Sequence, residues 1–250
     1  LPQARSASDV PDNPTDRLKF CGRSVSSQVD FDLLNERLTM CITAHCQPAD
    51  FHGEPGVNRG KELCCAESRS FIPQSRLIDT SKRCVVLANP EDNYAALSYV
   101  WGTTRRLLLL EHSLTWLSAP GALADGNDEV PNTFKDAFVT AQRLGFRYLW
   151  IDALCVLKDN QKQLLQHMNA MDSIYIATTL TIISDSRNVY TGVYGVSLAR
   201  ESAQATLQHG GRSHISSKQS FDSAMRKSYW QRRAWCLQEK VFSKKLLIFI

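Results

Sequence analysis

Tyr94-Ala-Ala-Leu-Ser-Tyr-Val-Trp-Gly102 is the stretch that decides the fold, because it is a strand-length apolar run closed by a glycine. Such a run predicts a buried strand. An amphipathic helix follows it, with a capping signal at Pro131, Thr133 and Asp136 and a stop at Gly145. The apolar residues of this helix recur at helical spacing: Phe134, Ala137, Phe138, Ala141 and Leu144.

The same alternation of strand and helix patterns continues to the end of the sequence. Short apolar runs predict strands at 148–151, 180–183 and 246–250. One helical stripe is predicted between them from Leu164, Leu165, Met168, Met171 and Tyr175. A second, from Trp230, Ala234, Leu237 and Val241, predicts a helix over 228–242. This order predicts an α/β fold with a mostly parallel central sheet, helices on both faces and a ligand crevice at the carboxyl ends of the strands.

Two segments precede this predicted core, which spans residues 91–250. Residues 1–20 are rich in proline, aspartate and serine without periodicity and predict a flexible lead-in. Residues 21–90 hold six of the eight cysteines and predict a small Cys-rich subdomain of loops and one helix. Because residue 1 is not Met and residue 250 lies within an apolar run, we expect a fragment of a longer polypeptide, truncated at its C-terminus.

The cysteine-rich segment allows two interpretations. Four of its residues are soft or borderline ligands that suit a structural zinc: Cys41, His45, Cys46 and Cys64. Against zinc, Cys21 lacks the second cysteine of a C-x-x-C knuckle, and adjacent cysteines at 64 and 65 seldom both bind one ion. Buried free thiols are therefore the default expectation, and no cofactor is predicted. Cys155 and Cys236 lie in helix or strand patterns and are predicted core residues.

Composition and missing motifs exclude several functional classes. The formal net charge of +4 is dispersed along the chain, which disfavours nucleic-acid binding. No apolar run is long enough to span a membrane and no signal-peptide core is present, so a cytoplasmic location is expected. Walker A, G-x-G-x-x-G, H-E-x-x-H and G-x-S-x-G motifs are absent. The scattered histidines are predicted to lie on the surface: His112, His167, His209 and His214.

Three blocks carry a family resemblance: Tyr94 to Gly102, Arg147-Tyr-Leu-Trp-Ile-Asp-Ala-Leu-Cys155 and Arg233-Ala-Trp-Cys-Leu-Gln-Glu239. In composition, order and spacing they resemble the signature of the fungal HET (heterokaryon incompatibility) domain. Upstream, Arg76-Leu-Ile-Asp79 and the Cys41 to Cys46 segment resemble the usual lead-in of these proteins. The resemblance implies non-self recognition that triggers programmed cell death, with self-association and with other incompatibility proteins or regulatory domains as partners.

HET domains are in turn similar to distant TIR domains, some of which cleave NAD with a glutamate on a helix preceded by an aromatic-rich turn. The segment from Trp230 to Glu239 resembles that arrangement. The resemblance implies a TIR-like or flavodoxin-like fold and an NAD glycohydrolase, with NAD as substrate. The alternative that it leaves open is a non-catalytic interaction module that recruits downstream factors.

Glu239 is the candidate catalytic residue. A helix would place it on one face with Trp235, four residues earlier, so that a carboxylate and an aromatic surface become neighbours. A carboxylate there could hold ribose hydroxyls and stabilise oxocarbenium-like charge. The alternative is that Glu239 is a solvated helix charge, or pairs with Lys240 or Arg233.

The remaining candidates bind substrate in this hypothesis. Asp152 directly follows a predicted strand, where ligands bind in open α/β folds, although it could instead bond to backbone amides and hold the loop. Ser98 and Tyr99 lie near the end of the first strand, and Trp101 could stack on a nucleobase or nicotinamide. Core packing is the alternative for three tryptophans: Trp101, Trp150 and Trp235.

Overall fold

The computed structural model describes residues 25–46, 74–102, 107–200, 204–210, 212–216 and 219–250. Within these ranges the α-helices are α1 (Phe31–Cys46), α2 (Leu114–Leu117), α3 (Asn132–Arg143), α4 (Asp152–Cys155), α5 (Gln161–Asn169), α6 (Met171–Ala177), α7 (Phe221–Lys227) and α8 (Cys236–Phe242). The strands are β1 (Arg76–Asp79), β2 (Cys84–Leu87), β3 (Tyr94–Tyr99), β4 (Tyr148–Trp150), β5 (Leu180–Ser184), β6 (Thr206–His209), β7 (Arg212–Ile215) and β8 (Leu246–Phe249). Two 3₁₀ turns span Glu111–Ser113 and Trp230–Arg232. The predicted lead-in, and Cys21, Cys64 and Cys65, lie outside the described residues.

A six-stranded sheet in the order β2-β1-β4-β3-β5-β8 organises the molecule. The four strands from β4 to β8 in this order are mutually parallel. The hairpin of β1 and β2 joins antiparallel to β4, and β6 pairs with β7 in a separate antiparallel ribbon. The prediction of a mostly parallel α/β sheet is confirmed, with the sheet made mixed by β1 and β2. Residues 76–87, which the sequence assigns to the N-terminal subdomain, are continuous with the core sheet.

Side chains of β3 alternate between the two faces of the sheet and show which helices cover each face. On one face, the ring of Tyr99 packs edge-to-face on Phe134 of α3, with centroids 5.1 Å apart. On the other face, the Tyr94 hydroxyl donates to the carbonyl of Ile174 in α6 at 2.8 Å, and Ser98 contacts α8. Helices therefore flank both faces, as the sequence predicts.

Helix α3 is confirmed, but the predicted capping role of Asp136 is wrong. Asp136 lies within α3 and not at its N-terminus, and its side chain is buried. Its Oδ2 accepts hydrogen bonds at 2.6 Å from the backbone N–H of Val193 and from the Ser197 hydroxyl. The carboxylate holds the loop after β5 against α3, so a long-range contact takes the place of a local cap.

The helical face predicted from Leu164 to Tyr175 differs from the face that is buried in the structure. The helix breaks at Ala170 into α5 and α6, and Leu165 and Met168 remain 50% and 44% exposed. Residue His167 instead lies on the buried side, only 2% exposed. The predicted surface position of this histidine is therefore wrong as well.

A continuous helix over 228–242 is also wrong. The chain forms a 3₁₀ turn, becomes extended at Arg233 (ψ 141°) and enters α8 at Cys236. Leu237 and Val241 are 67% and 56% exposed, so they form no core stripe. The reason is that Trp230 is fully buried, with its backbone N–H donating to Asp185 Oδ1 at 2.7 Å. The buried indole and the hydrogen bond to Asp185 hold Trp230 in the 3₁₀ turn, and a continuous α-helix would not allow this arrangement.

Apolar side chains from the inner faces of the helices and both faces of the sheet form the core. Trp150, Cys155 and Cys236 belong to it, which confirms the core predictions for the two cysteines. No helix in the described ranges has both the length and the apolar character needed to cross a bilayer.

Candidate functional site

A cleft of about 520 Å³ opens at the carboxyl ends of β3 and β4. Its floor is formed by residues 97–102, which end β3, and by Asp152 at the start of α4. Helices α5 and α6 form one wall, and the segment from Arg233 to Glu239 forms the other. The strand order reverses at β3, which lies between β4 and β5, and such a switch point is the usual ligand site of open α/β sheets.

Glu239 lies in this cleft with only 4% of its surface exposed. Its Oε2 accepts a hydrogen bond of 2.5 Å from the Ser98 hydroxyl. The Ser98 oxygen in turn accepts a bond of 2.5 Å from the indole N–H of Trp230. A chain of donors thus runs from Trp230 through Ser98 to the carboxylate and fixes one of its oxygens.

The second oxygen of Glu239 is held by Arg233, whose Nη2 lies 3.3 Å from Oε1. The other guanidinium nitrogen, Nη1, is buried without a hydrogen-bond partner among the described residues. Tyr175 lies close by, and its pKa is raised well above the usual value by burial and by the charges of Glu239 and Asp152. Its phenol therefore stays neutral and able to donate a hydrogen bond.

Asp152 supplies a second carboxylate to the cleft. Its Oδ2 lies 3.9 Å from Lys158 Nζ, while Oδ1 is buried and has no hydrogen-bond partner in the described part of the chain. The loop-holding alternative, in which backbone amides bond to this carboxylate, thus has no support at Oδ1. The Lys158 ammonium also lies 5.8 Å from the ring centroid of Trp101, which brings a cation over an aromatic face.

The aromatic candidates differ in what they present. Trp101 is half-buried and Trp235 is 45% exposed, and both border the cleft. Tyr99 also borders it, but its ring lies in the core against Phe134. Gly102 adopts a φ of +70°, a left-handed conformation that favours glycine, at the turn that closes the floor. The two indoles are therefore the planar surfaces available to a ligand ring.

His167 lines the same cleft from α5 and is 2% exposed. Its Nδ1 lies 2.9 Å from the carbonyl of Gln163, and its Nε2 has no hydrogen-bond partner in the residues described. Burial lowers the pKa of this imidazole. Near neutral pH the ring is therefore uncharged, with a lone pair at Nε2.

All six predicted site residues border one cleft: Ser98, Tyr99, Trp101, Asp152, Trp235 and Glu239. Glu239 is not a solvated helix charge, because it is buried, and it pairs with Arg233 as the alternative interpretation had it. Trp150 packs in the core against Tyr175, with ring centroids 5.8 Å apart. The fold thus places the six predicted residues around one cleft, and their individual contacts emerge only from the fold.

The sequence analysis does not identify three cleft residues or partners: His167, Tyr175 and Trp230. A signal for two of them was present, since Leu164, His167, Met171 and Tyr175 occur at i, i+3, i+7 and i+11. That spacing places a histidine and a tyrosine on one helical face. No local signal could have paired Trp230 with Ser98, because 132 residues separate them.

No group of three potential metal ligands is found within the described ranges. Cys41 is a half-buried cysteine in α1. Cys64 lies outside these ranges, and the side chains of His45 and Cys46 are not described, so the zinc hypothesis stays a prediction.

Comparison with known families gives one match. The family model described as "Heterokaryon incompatibility protein (HET)" matches residues 94–239, more than half of the chain, from the start of β3 to Glu239. Comparison with curated proteins and with solved structures gives no match. The matched span contains the cleft floor, both walls and the three sequence blocks, and the chain thus belongs to the heterokaryon incompatibility (HET) family, which implies a role in heterokaryon incompatibility.

Proposed function

We propose that this chain is a cell-death effector domain that cleaves NAD in the cleft once self-association brings copies together. The observation that carries the proposal is Glu239, a buried carboxylate in a cleft that also presents two indole surfaces and a second carboxylate. A carboxylate withdrawn from water beside planar aromatic surfaces suits a ribosylated heteroaromatic ring. The TIR-like resemblance points to the same chemistry.

The reaction would be hydrolysis of the bond between nicotinamide nitrogen and ribose C1′. Nicotinamide leaves with the bonding electrons and becomes neutral, water attacks C1′, and a proton is released with ADP-ribose. The difficult part is the positive charge that develops on the ribose ring. Glu239 can stabilise this charge and accept hydrogen bonds from the ribose hydroxyls, so it is assigned the catalytic role.

The neighbouring residues have positioning and binding roles in this proposal. Ser98 fixes one oxygen of Glu239 and orients the carboxylate. Trp101 and Trp235 offer faces on which the nicotinamide or adenine can stack. Asp152 Oδ1 and Arg233 Nη1, both unpartnered among the described residues, supply an acceptor for a hydroxyl and a donor for a phosphate oxygen.

A second candidate function is favoured by a specific observation. Both oxygens of Glu239 already have partners, Ser98 and Arg233, so the carboxylate could act only to hold α8 against β3. In that case the domain would be an assembly module that recruits downstream factors. If it is instead an enzyme, substrate hydroxyls can donate to the remaining lone pairs of the carboxylate or replace the contact with Arg233, which is the longer of the two.

The decisive test is NAD consumption by the purified chain at high concentration and after forced clustering, with nicotinamide release followed by chromatography. Glu239→Gln keeps the size of the side chain and removes its charge. Glu129→Gln is the matched control, because Glu129 is an exposed carboxylate outside the cleft. We expect turnover by the wild type and by the control, and loss of at least about 100-fold in Glu239→Gln.

Light scattering and circular dichroism on the same samples separate catalysis from folding and assembly. Equal NAD loss in wild type and Glu239→Gln would remove the glutamate from the mechanism. No turnover by any variant, with self-association intact, would leave the assembly module as the function. Fungal cells expressing Glu239→Gln should survive if cleavage kills, and should die if assembly alone is sufficient.

A further inference from the structure

His167 is a buried polar group that the proposed cleavage does not use. It lines the cleft and is 2% exposed, so its ring is shielded from bulk water. Nδ1 lies 2.9 Å from the carbonyl oxygen of Gln163, which can only accept a hydrogen bond. In the neutral ring Nδ1 therefore carries the proton, and Nε2 presents a lone pair with no partner among the residues described.

The surroundings of His167 keep the ring uncharged. Burial lowers its pKa, the bond to Gln163 opposes that shift, and the positive charges of Arg76 and Lys158 add to the lowering. Nε2 is thus a hydrogen-bond acceptor rather than a donor. A buried acceptor without a partner is costly, which makes this atom a natural contact for a ligand N–H group.

Apart from Tyr175 on α6 and Lys158 on the loop after α4, the other side chains that line the cleft near His167 are apolar. Leu164, Met168 and Met171 line the cleft from the same two helices, and Val156 lines it from the loop after α4. Methionine side chains adapt to planar rings and contact them favourably. Tyr175, which adjoins Glu239, lies on α6, beyond the break at Ala170 that separates α6 from His167 on α5. The wall therefore combines apolar side chains with an acceptor, His167 Nε2, that has no partner among the described residues.

We propose that this wall is a base subsite, in which a planar heteroaromatic ring lies on the methionines and donates an N–H hydrogen bond to His167 Nε2. This assignment rests on the proposed NAD cleavage, and it adds an explanation of how the cleft would recognise one ring of the substrate. Two groups of NAD have this chemistry, the carboxamide NH₂ of nicotinamide and the amino group of adenine. A ring that presents only a carbonyl or carboxylate there would leave Nε2 unpaired or facing a second acceptor.

Binding of small ring probes to the purified chain tests the subsite without catalysis. Nicotinamide is compared with 3-acetylpyridine, which replaces the carboxamide NH₂ by a methyl group. Adenosine is compared with purine riboside, which lacks the amino group. We expect the donor-bearing member of one pair to bind about 10- to 100-fold more tightly than its partner. The pair that discriminates identifies which ring of NAD occupies the subsite.

Variants and a spectroscopic signal assign the discrimination to His167. His167→Phe keeps a planar ring but removes the acceptor, and should reduce the affinity ratio to about 1. His112→Phe, at an exposed histidine outside the cleft, is the control and should leave the ratio unchanged. In wild-type protein, the ¹⁵N resonance of the unprotonated His167 nitrogen should move with the donor-bearing probe only. This measurement decides the question if His167→Phe does not fold.

The outcomes separate this inference from the proposed cleavage. NAD turnover with equal binding of both members of each pair, or with a ratio that persists in His167→Phe, overturns the base subsite and leaves hydrolysis standing. Discriminating binding without turnover supports the subsite and refutes hydrolysis. Absence of any ¹⁵N shift with all four probes overturns the subsite.

Discussion

Ser98→Ala tests the buried hydrogen-bond chain that holds Glu239. Ser98 is 1% exposed and takes part in two bonds of 2.5 Å, as donor to Glu239 and as acceptor from Trp230. Loss of a bond to a charged group costs about 1.5–3 kcal/mol, and a buried indole N–H left without a partner costs about 1–3 kcal/mol. We therefore expect Ser98→Ala to lower the free energy of unfolding by about 2.5–6 kcal/mol.

A double-mutant cycle with Trp230→Phe checks where that loss comes from. Trp230→Phe removes the indole N–H. In this background Ser98→Ala leaves no buried donor without an acceptor, so it should lower the free energy of unfolding by only about 1.5–3 kcal/mol. Urea unfolding followed by far-ultraviolet circular dichroism measures all four proteins, since tryptophan fluorescence changes with the substitution itself. Additivity of the two substitutions within about 0.5 kcal/mol would refute the coupling between Trp230 and Ser98.

Three further predictions concern buried titratable groups. Because burial raises the pKa of Asp136, Asp136→Asn removes a disfavoured charge and keeps an acceptor; it should retain stability at pH 7 in urea unfolding, whereas Asp136→Ala should lose about 2–3 kcal/mol, and equal losses would contradict this. Because the folded-state pKa of His167 is lowered, the unfolded chain binds the proton first as pH falls below about 6.5, so the free energy of unfolding should decrease from there until the folded-state pKa is reached. The same titration on His167→Gln should lack this contribution, and an unchanged pH profile would contradict it. Burial raises the pKa of Cys155 to about 12, so iodoacetamide should modify Cys155 in the urea-unfolded chain but not in the native chain, and comparable rates by mass spectrometry in the two states would count against the burial of this thiol.

Elements with strong local patterns could be predicted from the sequence, and those fixed by distant contacts could not. Strand β3 and helix α3 follow from periodicity because their apolar residues face the core on both sides of the sheet. The prediction of a helix over 228–242 is wrong because Asp185, on a separate segment, holds Trp230 in a 3₁₀ turn. Local helical propensity is weak compared with the burial of an indole and the hydrogen bond from its backbone N–H to a carboxylate.

The candidate site divides in the same way. Asp152 could be predicted because its place at the end of a strand is a local property of an α/β chain. The burial of Glu239 and its pairing with Ser98 required knowledge of which helix crosses which strand, which single-sequence patterns do not contain. His167 was overlooked because an isolated histidine is usually solvent-exposed, although its phase relative to Met171 and Tyr175 marks the inner face of the helix.

The separation of 141 positions between Ser98 and Glu239 has a consequence for when the site can form. The ribosome must synthesise the chain from β3 through Glu239 in α8 before the serine and the glutamate can come into contact. A nascent chain, or one that terminates before Glu239, therefore lacks the pair. If the chain is the cell-death effector proposed above, its incomplete synthesis products lack this pair and should be non-toxic. Proteolytic removal of α8 from the folded chain would likewise remove Glu239 and should abolish the proposed activity.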